Sequence, residues 1–283
     1  MTIIPHEWHK GGAIKNSLFG LSYRMFETFM FVVLLVFAFF CNAEGGEGKW
    51  EEVFFEANRA YKEGRFNDAV KGYRQLIRSD HCGGHVFYNL GNAYFRLDQL
   101  GKAILNYERA RVLLPRDADL IFNLRHARDQ VKDAISEDRS LINATFFWLD
   151  SLTLSEFLWA FAGINLLFWA ILLVRLFSNI EWSYYLFLIF LAFWLLSGVS
   201  LGLKWRQITN DDRTVIVYEE VNVLAGPDIK DTILFKLHAG TIVDLERSED
   251  KWSLISLPQK RRGWVRPGAA ERIRVRSKTT EPA

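Results

Sequence analysis

The sequence predicts a multidomain membrane protein in which an α-helical solenoid, a two-helix transmembrane hairpin and a small all-β barrel follow one another. Three observations predict it. A pattern of small and aromatic residues returns after 34 positions in the first half of the chain. Residues 157–174 and 182–203 are two long runs without a charge. From Arg213 onward, short β-type runs alternate with turn residues. A period of that length marks stacked supersecondary units, about 20 apolar residues cross the roughly 30 Å hydrocarbon layer as a helix, and closely spaced short strands indicate a barrel.

The composition agrees with this division. The 283 residues are 50% hydrophobic and 15% aromatic, rich for a soluble chain, and the excess lies in residues 29–40 and 157–203. A formal net charge of +2 excludes broad electrostatic attraction to nucleic acid, which needs a concentrated basic face. The denser basic stretches, 260–262 and 272–278, read as solvated flanks.

Residues 1–43 read as an N-terminal extension and secretory signal: an apolar run at 29–40, then Cys41-Asn42-Ala43 as a cleavage region. Lys10, Lys15 and Arg24 supply positive charge ahead of it, and Met25 is an alternative start. An uncleaved anchor is the other reading. If the run is removed, Cys82 is the one cysteine left and an intrachain disulfide is excluded.

Residues 50–135 carry the internal period. Ala57, Gly64, Ala69 and Tyr73 return as Gly91, Asp98, Ala103 and Tyr107, and the second copy, with Leu90-Gly91, Tyr94, Ala103, Tyr107, Ala110 and Pro115, has the spacing of tetratricopeptide repeats. Small residues let two antiparallel helices approach, aromatics fill the space between them, and Pro115 ends the second helix. A third helix over 118–135, with Leu120, Ile121, Leu124 and Ala127 at helical spacing, has no partner helix and is expected to cap the array.

Residues 154–204 form the predicted hairpin, with spans at about 156–177 and 182–203. Trp148, Trp159, Trp182, Tyr184, Tyr185 and Trp205 suit interfacial belts, while Trp169 and Trp194 fall mid-span. Two crossings return the chain to the side it left. If the signal exports the repeat, repeat and barrel both face the periplasm from the inner membrane, and residues 175–181 turn in the cytoplasm.

In residues 211–276, strands are predicted at 214–218, 221–224, 233–237, 241–246, 252–256 and 263–265. The strings Val221-Asn222-Val223-Leu224-Ala225-Gly226-Pro227 and Gly263-Trp264-Val265 resemble the bacterial SH3-like pattern, with Leu224 where that pattern has an arginine. The order of signal, repeats, hairpin and barrel, together with the string 88–94, the string 100–110 and Phe122-Asn123-Leu124, resembles the BatE-like tetratricopeptide family of the Bacteroides aerotolerance operon. That resemblance implies an envelope protein working beside von Willebrand A-type membrane proteins and a MoxR-type ATPase.

No catalytic constellation or cofactor motif is expected. No Gly-x-Ser-x-Gly string occurs, and Gly45-Gly46-Glu47-Gly48 lacks the following Lys-Ser/Thr of a phosphate loop. His81, Cys82 and His85 place three metal-type ligands in one turn where a closed site needs four, so a connector is expected and a redox or metal protein is the alternative. Glu156 reads as an interfacial acid. The helical repeat offers the better site. Register turns Asn58, Tyr61, Tyr88, Asn89, Asn92, Phe95, Phe122 and Asn123 toward a concave groove suited to an extended peptide. Asn58 and Asn89 match the amide positions of carboxylate-clamp repeats, but Phe54, Asp119 and Asn123 stand where those have cations. On the barrel, Trp252 and Trp264 are candidates for a cleft taking a peptide or peptidoglycan fragment. The expected function is a non-enzymatic periplasmic adaptor, with a cell-wall-binding module as the alternative.

Overall fold

Two antiparallel helix pairs are built from the repeating sequence: α1 (Glu47–Lys62) with α2 (Phe66–Arg78), and α3 (Gly84–Arg96) with α4 (Leu100–Leu113), followed by α5 (Ala118–Arg128). The structure, a computed structural model, describes residues 47–133, 146–177, 181–249, 252–257 and 261–274; the expectations for residues 1–43 and for most of the turn between the spans lie outside these. Both pairs reverse the same way. Gly64 (φ +77°) and Asp98 (φ +56°) occupy equivalent left-handed positions, which glycine adopts freely and aspartate tolerates. The next backbone N–H bonds back in the same pattern, Arg65 to the Ala60 carbonyl at 2.9 Å and Gln99 to the Tyr94 carbonyl at 3.0 Å.

The small residues do what their spacing predicts. A Cβ on Gly91 would lie 2.6 Å from the Tyr107 ring, so any larger residue would push α3 off α4. Ala69, Ala103, Ala110 and Ile104 are fully buried, with Tyr73 and Tyr107 beside them. A buried carboxylate, Glu108, ties α4 to α5 through Arg128 at 2.5 Å and meets Arg111 at 2.8 Å. The helix expected over 118–135 ends at Arg128. Its N-cap is Asp117, whose side chain accepts from the Leu120 N–H at 2.9 Å. The chain then turns, so that Val131 and Asp133 reach the β-domain.

After a short helix α6 (Trp148–Ser151) come α7 (Leu154–Phe177) and α8 (Glu181–Thr209), both long and apolar enough to cross a membrane. Only 6% of each apolar window is buried inside the protein, unlike the core helix of a soluble fold. Thr153 and Glu156 form a capping box at the head of α7: the carboxylate accepts from the Thr153 N–H at 2.8 Å, and the Thr153 hydroxyl accepts from the Glu156 N–H at 3.3 Å. Glu156 also pairs with Arg116 of the helical repeat. Midway along α7, the Asn165 Oδ1 accepts from both mid-span indoles, Trp169 at 3.1 Å and Trp194 at 3.0 Å. α8 outruns the predicted span by six residues, and its end meets the rest of the chain. The Lys204 ammonium donates to the Leu149 carbonyl at 2.5 Å, Gln207 to Asp150 at 2.8 Å, and Arg274 to the Thr209 carbonyl at 2.6 Å.

The C-terminal part has seven strands, β1 (Arg213–Ile216), β2 (Glu220–Leu224), β3 (Ile233–His238), β4 (Ile242–Glu249), β5 (Trp252–Ser256), β6 (Arg262–Val265) and β7 (Ala270–Arg272). They form one antiparallel sheet in the order β3-β2-β6-β5-β4-β1-β7. β7 is additional to the six expected; three residues, two of them exposed, carry too short a pattern to read from sequence. Along β4, Val243 and Leu245 are buried while Asp244 and Glu246 are exposed, the alternation of a half-buried strand.

The β-domain is not a separate bead. Val215, Val217 and Ile273 are buried in the same cluster as the repeat's alanines and tyrosines. A Cβ on Gly101 of α4 would fall 2.4 Å from the Ile216 carbonyl, and one on Gly240 would fall 2.5 Å from Ile104 Cδ1 and 2.8 Å from Val131. Burial of three such aliphatic side chains contributes roughly 5 kcal/mol, comparable to the whole stability of a small domain. The sheet therefore packs on α4 and on the turn that follows the third helix.

Candidate functional site

α1, α3 and α5 lie side by side and carry the predicted groove residues, whose amides are linked across the helices. Asn58 Oδ1 accepts from the Tyr73 hydroxyl at 2.7 Å and from Asn89 Nδ2 at 3.0 Å. One repeat later, Asn92 Oδ1 accepts from the Tyr107 hydroxyl at 2.7 Å and from Asn123 Nδ2 at 3.1 Å. Asn123 also donates to the Tyr88 hydroxyl at 2.9 Å. A carbonyl oxygen has two lone pairs, so Asn58 and Asn92 have spent their acceptors and keep their amide N–H donors. Burial pushes the Tyr73 and Tyr107 hydroxyls above the usual phenol range, so they remain protonated donors to these oxygens.

Asn58, Tyr61, Asn89 and Asn92 line a shallow pocket of about 270 Å³, together with Tyr73 and Lys62. Sequence reasoning missed Lys62. Its signal is its place one turn after Asn58 on the same helical face. The remaining predicted residues lie outside the pocket lining. Phe95 packs against His126 with ring centroids 5.6 Å apart, and Phe122 is 67% exposed on α5. Burial raises the Tyr88 hydroxyl and its amide neighbour Asn92 lowers it; Asp119 and Asp117, which raise it further, mark that end of the groove as acidic.

On the sheet, Trp264 pairs with Leu254 in register, which puts Trp252, two residues back along β5, on the same face. Trp264 is only 8% exposed and has the Arg247 guanidinium 5.5 Å from its ring centre, whereas Trp252 is half-buried. Trp252 thus offers more surface than Trp264.

The turn at 81–85 is structurally occupied. His81 stacks on Trp50 at 4.5 Å and its Nδ1 lies 2.7 Å from the Ser79 carbonyl, while Cys82 points to Asp80. Burial, and then the Asp80 charge, push the Cys82 thiol up, away from the thiolate that binds metals. Among the described residues, no three His, Cys, Asp or Glu side chains gather as a metal-ligating group.

The repeat and the sheet are joined by a polar contact as well as by their core. Asp133 Oδ2 accepts from the His238 backbone N–H at 2.7 Å and from the Thr241 hydroxyl at 2.6 Å, while Oδ1 lies 2.9 Å from His238 Nδ1. Arg109 on α4 donates to the Arg272 carbonyl at 2.8 Å and faces Glu271 at 3.7 Å. All these contacts leave from α4 or from beyond α5, so the sheet covers the face away from the asparagine groove.

No curated protein sequence matches the chain. The family described as Bacterial SH3 domain matches residues 217–269, a stretch that begins just after β1 and ends before β7, and this segment of the chain is a bacterial SH3 domain.

Proposed function

We propose that the protein is a membrane-anchored, non-enzymatic adaptor that holds an extended segment of a protein partner in the asparagine groove. One observation carries this reading. The SH3 domain packs on α4 and on the residues after α5, while the pocket between α1 and α3 stays open on the other face. The aromatic residues Tyr61, Phe95 and Phe122 along that face suit the apolar contacts of a bound chain. The apolar helices α7 and α8 serve as the anchor. The order of repeat, hairpin and SH3 domain resembles that of BatE-like proteins, and on that resemblance we place the partners among von Willebrand A-type proteins of the bacterial envelope, on the periplasmic side of the inner membrane.

The test is site-specific photocrosslinking in membranes. A photoreactive residue at Phe122 or Tyr61 is expected to trap a protein partner, and one at Lys71, 79% exposed on α2 away from the groove, is not. Equal capture from both faces, or none from the groove, contradicts the reading.

A second reading, cell-wall binding, is favoured by the SH3 match together with the exposed side chains of Ile229, Ile233 and Leu234 at and before the edge strand β3. It is checked by whether the detergent-solubilised full chain co-sediments with purified peptidoglycan. Loss of sedimentation on Ile233→Asp supports it, and failure to sediment removes it.

A further inference from the structure

The groove is charged in opposite senses at its two ends. Lys62 stands one turn beyond Asn58 at the end of α1, and Asp119 stands one turn before Asn123 at the start of α5. Each shares a helical face with an amide of the hydrogen-bonded series, because residues four apart are neighbours on a helix. Both side chains are exposed, and neither forms an ion pair with another described residue. Near Lys62, the spent oxygen of Asn58 leaves amide donors, so that end offers an ammonium and N–H groups to an acceptor. At the other end, the negative charges of Asp119 and Asp117 act on the Tyr88 hydroxyl, and the Asp117 carboxylate is already engaged in capping Leu120.

We propose that this groove takes an extended peptide of mixed charge, with a carboxylate at the Lys62 end and a Lys or Arg side chain at the Asp119 end. The inference rests on the adaptor reading and adds a polarity to it. Asp119 disfavours a ligand that is anionic throughout, since like charges brought together cost binding. The span fits a short linear motif: α1 and α5 are two helix spacings apart, roughly 16–20 Å, which about five or six extended residues cover.

The experiment measures fluorescence anisotropy with the full chain in detergent micelles and end-blocked, dye-labelled hexapeptides. One probe carries Glu first and Lys last around four small residues; a second has the reverse order. A third, left unblocked at its C-terminus and with no acidic side chain, separates a terminal from a side-chain carboxylate. One charge order is expected to bind more tightly than the other, and Lys62→Glu or Asp119→Lys to weaken it by about fivefold, as for an exposed ion pair. The double variant Lys62→Glu/Asp119→Lys is expected to shift the preference to the opposite order. Unchanged thermal unfolding of the variants shows that the fold is kept. Equal binding of both orders, no shift in the double variant, or no binding of any charged probe overturns the polarity. Photocrosslinking from Phe122 and Tyr61 tests the groove itself and succeeds or fails independently.

Discussion

Asp133 holds His238 twice, through the backbone N–H at 2.7 Å and through the imidazole Nδ1 at 2.9 Å, although 105 positions separate them in sequence. Around this contact the helical repeat and the SH3 domain become one body. They share a buried core, and Gly101 and Gly240 bring their backbones into close approach. The repeat and the SH3 segment each also touch the apolar hairpin, through Arg116–Glu156 and Arg274–Thr209.

Removing the Asp133 carboxylate is expected to leave the His238 N–H and the Thr241 hydroxyl without their acceptor. Asp133→Ala should lower stability by about 1–3 kcal/mol, the cost of unsatisfied part-buried donors, read as a fall in Tm of the purified chain.

The same residue gives a pH dependence. Burial pushes the Asp133 carboxyl up, but hydrogen bonds from the Thr241 hydroxyl and from the His238 N–H and ring outweigh it and hold the carboxyl below the ordinary aspartate value. A depressed folded-state pKa means that the contribution is fully present above the unfolded value of about 4 and is lost as pH falls through and below it. Thermal unfolding of the wild type should therefore drop more steeply below about pH 4 than that of Asp133→Asn, whose side chain does not titrate.

Gly101 has no room for a side chain, since a Cβ would meet the Ile216 carbonyl at 2.4 Å and the Val217 Cα at 2.8 Å. Both are backbone atoms, so relief requires moving the sheet off α4. Gly101→Val should cost at least about 1–3 kcal/mol, the range for overpacking, and should make the SH3 segment more susceptible to limited proteolysis. Gly163, with nothing near its Cβ position, is the control, and Gly163→Ala should leave soluble-body stability unchanged.

Tyr73 and Tyr107 make the same hydroxyl bond one repeat apart. Tyr73→Phe and Tyr107→Phe should each cost about 1 kcal/mol, the usual net worth of one such bond, measured as urea midpoints. A much larger loss in one repeat would contradict their equivalence.

Much of the helical part was legible in the sequence because its determinants are local and periodic. The spacing that sets Gly91 against Tyr107 also puts Asn58 and Asn92 on one face. The apolar runs of α7 and α8 announce themselves by composition alone, and the strings around Val221 and Trp264 mark the SH3 segment. What sequence did not reveal is long-range. Nothing in the pattern links Asp133 to His238, or marks Gly101 as the place where β1 lies on α4. That the asparagines bond to one another and to Tyr73, Tyr88 and Tyr107 was not legible either, because a register argument gives a direction and not a partner. Asn165 escaped notice as one polar residue in an apolar run, although it receives the indole donors of Trp169 and Trp194.

Sidedness is the most direct test of an account in which groove and SH3 domain are one body on one membrane face. With Cys41 and Cys82 replaced by Ser, single cysteines at Lys71 on the repeat and at Arg261 on the SH3 segment are labelled in spheroplasts with a membrane-impermeant maleimide, before and after permeabilisation. Both positions are expected to react from the outer face of the inner membrane. Labelling of one with protection of the other until permeabilisation would separate the two modules across the bilayer and contradict the account.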